Sequence, residues 1–560
     1  MKQMQRGSRL TGLLSQADQQ GGLRGWLCLL LAALLTLQNP LWYGMAPAFD
    51  ASLFAVMGKM WADGSVLYRD MLDIKGPMIF ALDALGYRLG GFAGMAALET
   101  LLLALGLSSA YRGLRRLGCS LAASWLALLA TLALCGFRYY YGNMTEEWSL
   151  ALALLAFGGF AGQLQAGRFV LAQAWLPALT LGLVFMMRPN NAVLWAAWYA
   201  GLGCLWLGQG AWRQVCWLAL SALAGLLLVA LPLLAYFWQQ GVWDNFLFYA
   251  YGVFFGHSYG SGFSLAVGLV GLLRTGWLLL LPWAVWGLFS QARGELLRLR
   301  AGLLWVLLWS ALAGLVANSV SGHVYDHYDE LILPLLPLSL ALLLHWAGQG
   351  WRWAWPVLGG WGLFLLIPHT LFDWTRFEWP LDKVALQMGV ALGGALLLIL
   401  AGWRWLPVGA HGAQRLMVVM ACVLPICLTG YSAYLAATAG RPFNATTWQQ
   451  VQQIRAESSP SDTLWVEGTM PQFYVWSERA AATPYLFFDN VTPGYDVKAK
   501  VLAALQAKPP AFILVRGKKL ARFRADPHAY STSQQALLAY IVTTYDEVQP
   551  GLFRRRESGS

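Results

Sequence analysis

The segment Phe49-Asp50-Ala51-Ser52-Leu53-Phe54, with Tyr68-Arg69-Asp70 and Asp73-Ile74-Lys75-Gly76-Pro77 behind it, decides how the chain is read. It follows directly on the first apolar run of bilayer length, which takes about 20 residues at roughly 1.5 Å each. Asp50, Asp70, Asp73 and Lys75 thus fall in one loop beside lipid. A loop that only joined two spans has no need of fixed charge there, and ionisable groups at a membrane boundary are functional candidates by default.

Composition agrees with a membrane setting. Of 560 residues, 58% are hydrophobic and 12% charged, and the mean hydropathy is +0.52, which excludes an ordinary soluble domain. The 30 Trp and 59 Gly fit interfacial belts and close helix contacts. The net charge of +11 reads as the positive-inside bias rather than as a nucleic-acid surface. Lys2, Arg6 and Arg9 precede the first apolar run without a cleavage pattern, so residues 1–24 read as a short cytoplasmic tail before an uncleaved anchor. The seven Cys lie in or beside apolar runs and form neither a disulfide framework nor a metal-ligand spacing.

About thirteen spans are expected, near 25–42, 94–111, 120–137, 148–164, 169–187, 192–208, 215–237, 270–290, 301–317, 331–347, 353–372, 384–405 and 416–438. Residues 77–92 are apolar but contain Asp83 and Arg88, and read as a helix lying in the outer interface within the first outer loop, 43–93. Charge supports that choice. It puts Arg112, Arg115, Arg116, Arg168, Arg213, Arg293, Arg298, Arg300, Arg352, Arg404 and Arg415 in the cytoplasm; one more span would reverse them. From 439 to 560, short apolar runs (463–466, 485–488, 511–515) alternate with polar helical stretches. These predict a small α/β domain on the outer face. The fold class is therefore a polytopic α-helical membrane protein with a small C-terminal α/β extracytoplasmic domain.

This topology collects the polar clusters on one face. The first outer loop holds Asp50, Asp70, Asp73 and Lys75; the second Arg138, Asn143, Glu146 and Glu147; the third Arg188; and a later one His327 and Tyr328. A carboxylate for proton transfer beside cations for phosphate is the set an enzyme acting on a phosphate-bearing amphiphile requires. Each residue also has a bland reading. Asp50 caps a helix, Lys75 and Arg188 snorkel, Asp70 and Asp73 pair with Arg69 and Lys75, and Glu146 and Glu147 favour the positive end of a helix. Glu99, inside the second span, reads as a partner for a neighbouring helix. Asp50, Glu146 and His327 lack a local ligand spacing. No metal is assigned and no cofactor is expected, a divalent ion being the less favoured alternative.

The order of these motifs resembles the GT-C superfamily of membrane glycosyltransferases, in its family 39/83-like group, which includes bacterial aminoarabinose transferases and relatives of protein O-mannosyltransferases. The resemblance rests on Asp50, then Gly58-Lys-Met-Trp-Ala-Asp-Gly64, Tyr68-Arg-Asp70 and Asp73-Ile-Lys75-Gly-Pro77. Later come Gly142-Asn-Met-Thr-Glu-Glu147, Arg188-Pro-Asn190, His327-Tyr328 with Pro334, and Asp462-Thr-Leu-Trp-Val-Glu467 with Tyr474. It implies a GT-C fold and a polyprenyl-phosphate sugar donor such as an undecaprenyl phosphate sugar. The acceptor is a lipid, a glycan or a protein, and the site lies on the periplasmic side of a bacterial inner membrane. It also implies Asp50 as the catalytic carboxylate and Lys75 as a lipid-phosphate contact. Asp50 is followed by Ala51 where many members have a second acid, which points away from a metal and toward Asp50 as a single base. The alternatives are an O-antigen ligase or polymerase and a lipid-linked sugar transporter.

Overall fold

The computed structural model describes residues 21–47, 49–138, 142–252, 263–319, 326–351, 353–371, 445–468, 470–486 and 497–556. The expected spans 384–405 and 416–438 lie outside these residues, as do the side chains of Arg138 and His327.

Apolar runs become helices because a lipid-exposed backbone must satisfy its own hydrogen bonds. They are α1 (Gly21–Thr36), α2 (Phe49–Ala62), α3 (Pro77–Arg116), α4 (Leu121–Arg138), α5 (Thr145–Ala166), α6 (Leu171–Met187), α7 (Val193–Gly208) and α8 (Trp212–Gln239). After a short α9 (Trp243–Leu247) come α10 (Leu265–Arg274), α11 (Trp277–Ser290), α12 (Gly294–Ser319), α13 (Leu336–Gly348) and α14 (Ala354–Leu371). Among the described residues, α3, α5, α8 and α12 are each long and apolar enough to cross a membrane. The outer surface of α8 is lined by exposed Trp212, Trp217, Leu228 and Trp238, as a lipid-facing helix requires. Inside, small residues bring helices into backbone contact: a Cβ on Gly158 of α5 would stand 2.4 Å from the Ser109 carbonyl of α3, and Ser109 Oγ donates to Leu155 O at 2.7 Å.

α3 is two helices. Gly90 and Gly91 leave helical geometry, with Gly91 at φ 65°, and the chain folds back so tightly that a Cβ on Gly86 would sit 2.6 Å from Met95 Cα. Residues 77–89 amount to about 20 Å of helix, too short for the roughly 30 Å hydrocarbon layer. The break at Gly90–Gly91 thus divides a short 77–89 segment from a 92–116 segment long enough to span. The run 270–290 departs from a single straight span. α10 and α11 meet at 76°, because the chain turns at Thr275–Gly276 and Gly276 adopts φ 67°.

The C-terminal part contains α15 (Ala445–Ala456), β1 (Thr463–Val466), α16 (Gln472–Ser477), β2 (Ala480–Ala481), α17 (Val497–Ala507), β3 (Phe512–Leu514), α18 (Gly517–Ala525), α19 (Thr532–Thr544), β4 (Tyr545–Gln549) and β5 (Leu552–Arg555). The sheet order is β2-β1-β3-β5-β4. β1 is parallel to β2 and β3, and β5 is antiparallel to β3 and β4. Alternation sorts the faces: Trp465, Ile513 and Phe553 pack on Val501, Leu538 and Ile541. Leu464, Val466, Phe512, Leu514 and Leu552 turn to a core continuous with the helical bundle. α16 packs on α2, and Leu72 N donates to Pro484 O at 2.9 Å. The carboxyl edge of the parallel strands thereby faces the first outer loop.

Candidate functional site

The first outer loop is shaped by its own polar groups. Tyr68 takes a left-handed φ of 65°; its carbonyl accepts from Asn245 Nδ2 at 2.9 Å and its hydroxyl donates to Lys75 O at 2.7 Å. Asp73 turns inward and is 4% exposed, with Oδ1 accepting from Lys75 N at 2.8 Å. Gly76 N donates to Met187 O at 3.0 Å, and a Cβ on Gly76 would lie 2.3 Å from Met186 O. Glycine is therefore what lets the Lys75 turn lie against the end of α6, where Arg188 begins the third outer loop.

Asp50 stands in the first turn of α2, half-buried, where a carboxylate is favoured by the helix dipole. Asp73 lies close by. Burial pushes its carboxyl up to about 6; Lys75 and two backbone amides oppose that rise, and the Asp50 charge adds to it. Lys75 Nζ lies 5.9 Å from the Phe54 ring centroid.

The second and third outer loops and 326–331 complete the site. Arg188 forms an ion pair with the buried Glu146 through Nη1. It donates from Nη2 to Tyr328 Oη at 2.8 Å, and its guanidinium sits 4.9 Å from the Tyr328 ring centroid. Thr145 Oγ1 donates to Glu146 Oε2 at 2.8 Å. Asp50, Lys75, Arg188 and Tyr328 are each half-buried, so they combine fixed positions with access.

Three of the sequence candidates sit elsewhere. Asp70 is a half-buried partner of exposed Arg69 at 3.0 Å and accepts from Val66 N at 2.7 Å. The Arg69 contact holds its carboxyl below the usual range. Asn143 and Glu147 are buried and set the shape of the second outer loop. Asn143, at φ 65°, donates from Nδ2 to Asp83 Oδ2 at 3.0 Å and accepts from Trp148 Nε1 at 3.1 Å. Glu147 accepts from Gly142 N at 3.1 Å and Met144 N at 2.9 Å. Glu99 joins them, accepting from Asn39 Nδ2 at 3.1 Å and Asn143 N at 3.3 Å. Sequence reading used Asp83 only to place 77–92 and did not single out Asn39. The available signal was a carboxylate in the short apolar helix between Pro77 and Gly90. Among the described residues, no three His, Cys, Asp or Glu side chains come together as a metal site.

No family model matches the chain, and no curated protein matches it by sequence. Two solved structures share its fold. ArnT from Cupriavidus metallidurans bound to undecaprenyl phosphate superimposes with a TM-score of 0.58 at 16% identity, covering 90% of this chain and 95% of that one. The apo state of the same protein gives a TM-score of 0.57 at 17% identity, with coverage of 90% and 95%. The chain therefore shares the overall fold of these ArnT structures, with a small C-terminal α/β domain.

Proposed function

We propose that this protein is a glycosyltransferase that moves a sugar from a polyprenyl-phosphate donor to an acceptor hydroxyl at the outer face of a bacterial inner membrane. One observation carries the reading: half-buried Asp50, Lys75, Arg188 and Tyr328 gather at one end of an apolar bundle. The fold is that of ArnT, a protein solved bound to undecaprenyl phosphate, which supports a polyprenyl-phosphate ligand.

Each group then has a task. Lys75 and Arg188 take the donor phosphate, and Arg138 is a third candidate cation. Charge-assisted bonds to the phosphate stabilise it as it leaves. Asp50 accepts the proton of the incoming hydroxyl as the C1–O bond to phosphate breaks and the new C1–O bond forms. A single in-line displacement inverts the anomeric carbon. Glu146 and Tyr328 fix the Arg188 plane, so the fork meets phosphate without reorganising. Asp73 positions the Lys75 backbone. His327, beside Tyr328, is assigned to the substrate.

The test is release of polyprenyl phosphate from synthetic polyprenyl-phosphate monosaccharides by purified protein in nanodiscs, with cell-envelope extract as acceptor and with and without a chelator. Wild-type protein should release it from one donor and Asp50→Asn should not. Full activity in Asp50→Asn would sink Asp50 as the base, and no release from any donor would sink the function.

A further inference from the structure

The C-terminal domain carries a second candidate site that the transfer mechanism leaves unused. In the order β2-β1-β3, the chain leaves β1 toward β2 on one side and returns to β3 on the other. The carboxyl ends of β1 and β3 therefore flank a topological switch point, where open α/β sheets bind ligands. Val466 pairs with Leu514, so the loops beginning at Glu467 and Val515 open side by side at that edge.

What lines this edge is specific. Glu467 is 2% exposed. Its Oε1 holds an ion pair with Lys519, in the first turn of α18, whereas Oε2 is enclosed and accepts from no group among the described residues. A buried carboxylate oxygen without a donor is costly and calls for one. Gly468 takes φ +86°, and a Cβ there would lie 3.5 Å from Arg516 Nε, so the Arg516 guanidinium lies over the loop that follows Glu467. The nine-residue α18 starts at Gly517 and no side chain caps it. Its first amides, Arg516, and exposed Lys518 make this corner an anion site. The same edge faces the first outer loop through α16 on α2 and the Leu72–Pro484 bond.

We propose that this crevice binds a phosphorylated saccharide, its phosphate on Arg516 and the opening amides of α18 and a sugar hydroxyl donating to Glu467. A dianionic phosphate suits a guanidinium fork beside free amides, and the extra carboxylate selects for a hydroxyl-bearing ligand over bare phosphate. That this sugar phosphate belongs to the acceptor rests on the glycosyl-transfer reading; the binding itself does not.

The experiment is calorimetric titration of the full-length protein in nanodiscs with glucose 6-phosphate, glucose and inorganic phosphate. Wild type should bind glucose 6-phosphate at least about tenfold more tightly than phosphate, and glucose more weakly than either. Arg516→Gln, an exposed change that leaves the fold alone, should lose both anions by roughly tenfold or more. Glu467→Gln should keep phosphate binding and lose the sugar preference, with its melting curve as the check on folding. No binding by wild type, wild-type affinity in Arg516→Gln, or a preserved preference in folded Glu467→Gln would each overturn the proposal. Asp50→Asn should bind as wild type does. Failed transfer with this binding pattern intact therefore removes only the function proposed above, and transfer without the pattern removes only this site.

Discussion

Replacing Gly76 with alanine tests whether the Lys75 turn must lie against α6. Gly76 has φ −66° and ψ 161°, a conformation alanine adopts freely, so the change adds a methyl group and no backbone strain. That methyl would stand 2.3 Å from Met186 O, 2.9 Å from Met186 C and 3.0 Å from Met187 O. All three neighbours are backbone, and none can rotate away. To reach even 3.0 Å from Met186 O the two segments must part by about 0.7 Å, which stretches the Gly76–Met187 hydrogen bond and carries Lys75 away from Arg188. Overpacking of this kind costs about 1–3 kcal/mol of stability. A displacement approaching 1 Å of a phosphate-binding cation costs about 10²-fold in turnover. The assay is single-turnover release of polyprenyl phosphate beside a thermal melt. Gly208→Ala, where an added Cβ meets nothing within 4 Å, is the matched control and should behave as wild type. Wild-type turnover in Gly76→Ala would refute the claim that Lys75 and Arg188 act together.

Other substitutions read the remaining contacts. Arg188→Lys cannot both pair with Glu146 and hold Tyr328, so turnover should fall about 10²-fold. Tyr328→Phe removes one hydrogen bond and should cost about three- to tenfold, mostly in donor KM. Equal effects in both variants, measured by steady-state kinetics, would argue against Arg188 as a phosphate fork. For Asp73, between its ordinary 3.8 and about 6 the folded protein holds a proton that the unfolded chain has lost. With respect to this group, stability falls as pH rises through that window, by roughly 3 kcal/mol in full. Asp73→Asn, which keeps an oxygen for the Lys75 amide, should therefore gain melting temperature relative to wild type between pH 5 and pH 7. A constant difference across that range would contradict the buried setting of Asp73.

The sequence made the helices legible because an apolar run in lipid has few options besides a helix. It set 77–92 apart from the run that follows because Asp83 and Arg88 interrupt it, and the helix breaks there at Gly90-Gly91. Half the candidate site was equally plain: Asp50, Lys75 and Arg188 are charges at the ends of apolar runs, where a bare connection would carry none. What it could not separate was Asp70 from Asp73, three residues apart in one loop. Their difference depends on the left-handed Tyr68 and the turn that tucks Asp73 beneath the Lys75 amide, and neither leaves a mark in composition. Nor did it foresee the bend at Thr275–Gly276, since a glycine in an apolar run is ordinary in helix packing. The docking of α16 on α2 joins segments more than 400 residues apart in the chain and has no local signal at all.

The polar groups of this apolar protein fall into two layers with different physical logic. Asn39, Asp83, Glu99, Asn143 and Glu147 are nearly fully buried and direct their bonds at one another and at backbone amides of 142–144. These five form the inner layer, closed to solvent. Its work is to hold the loop before α5, which places Glu146 where Arg188 can meet it. Removing one member leaves its partner buried and unpaired, so such changes act through folding. Asp50, Lys75, Arg188 and Tyr328 are half-exposed, and their substitution should leave the fold standing while the chemistry goes. An inactive variant that melts like wild type therefore marks the outer layer, and one that melts early marks the inner.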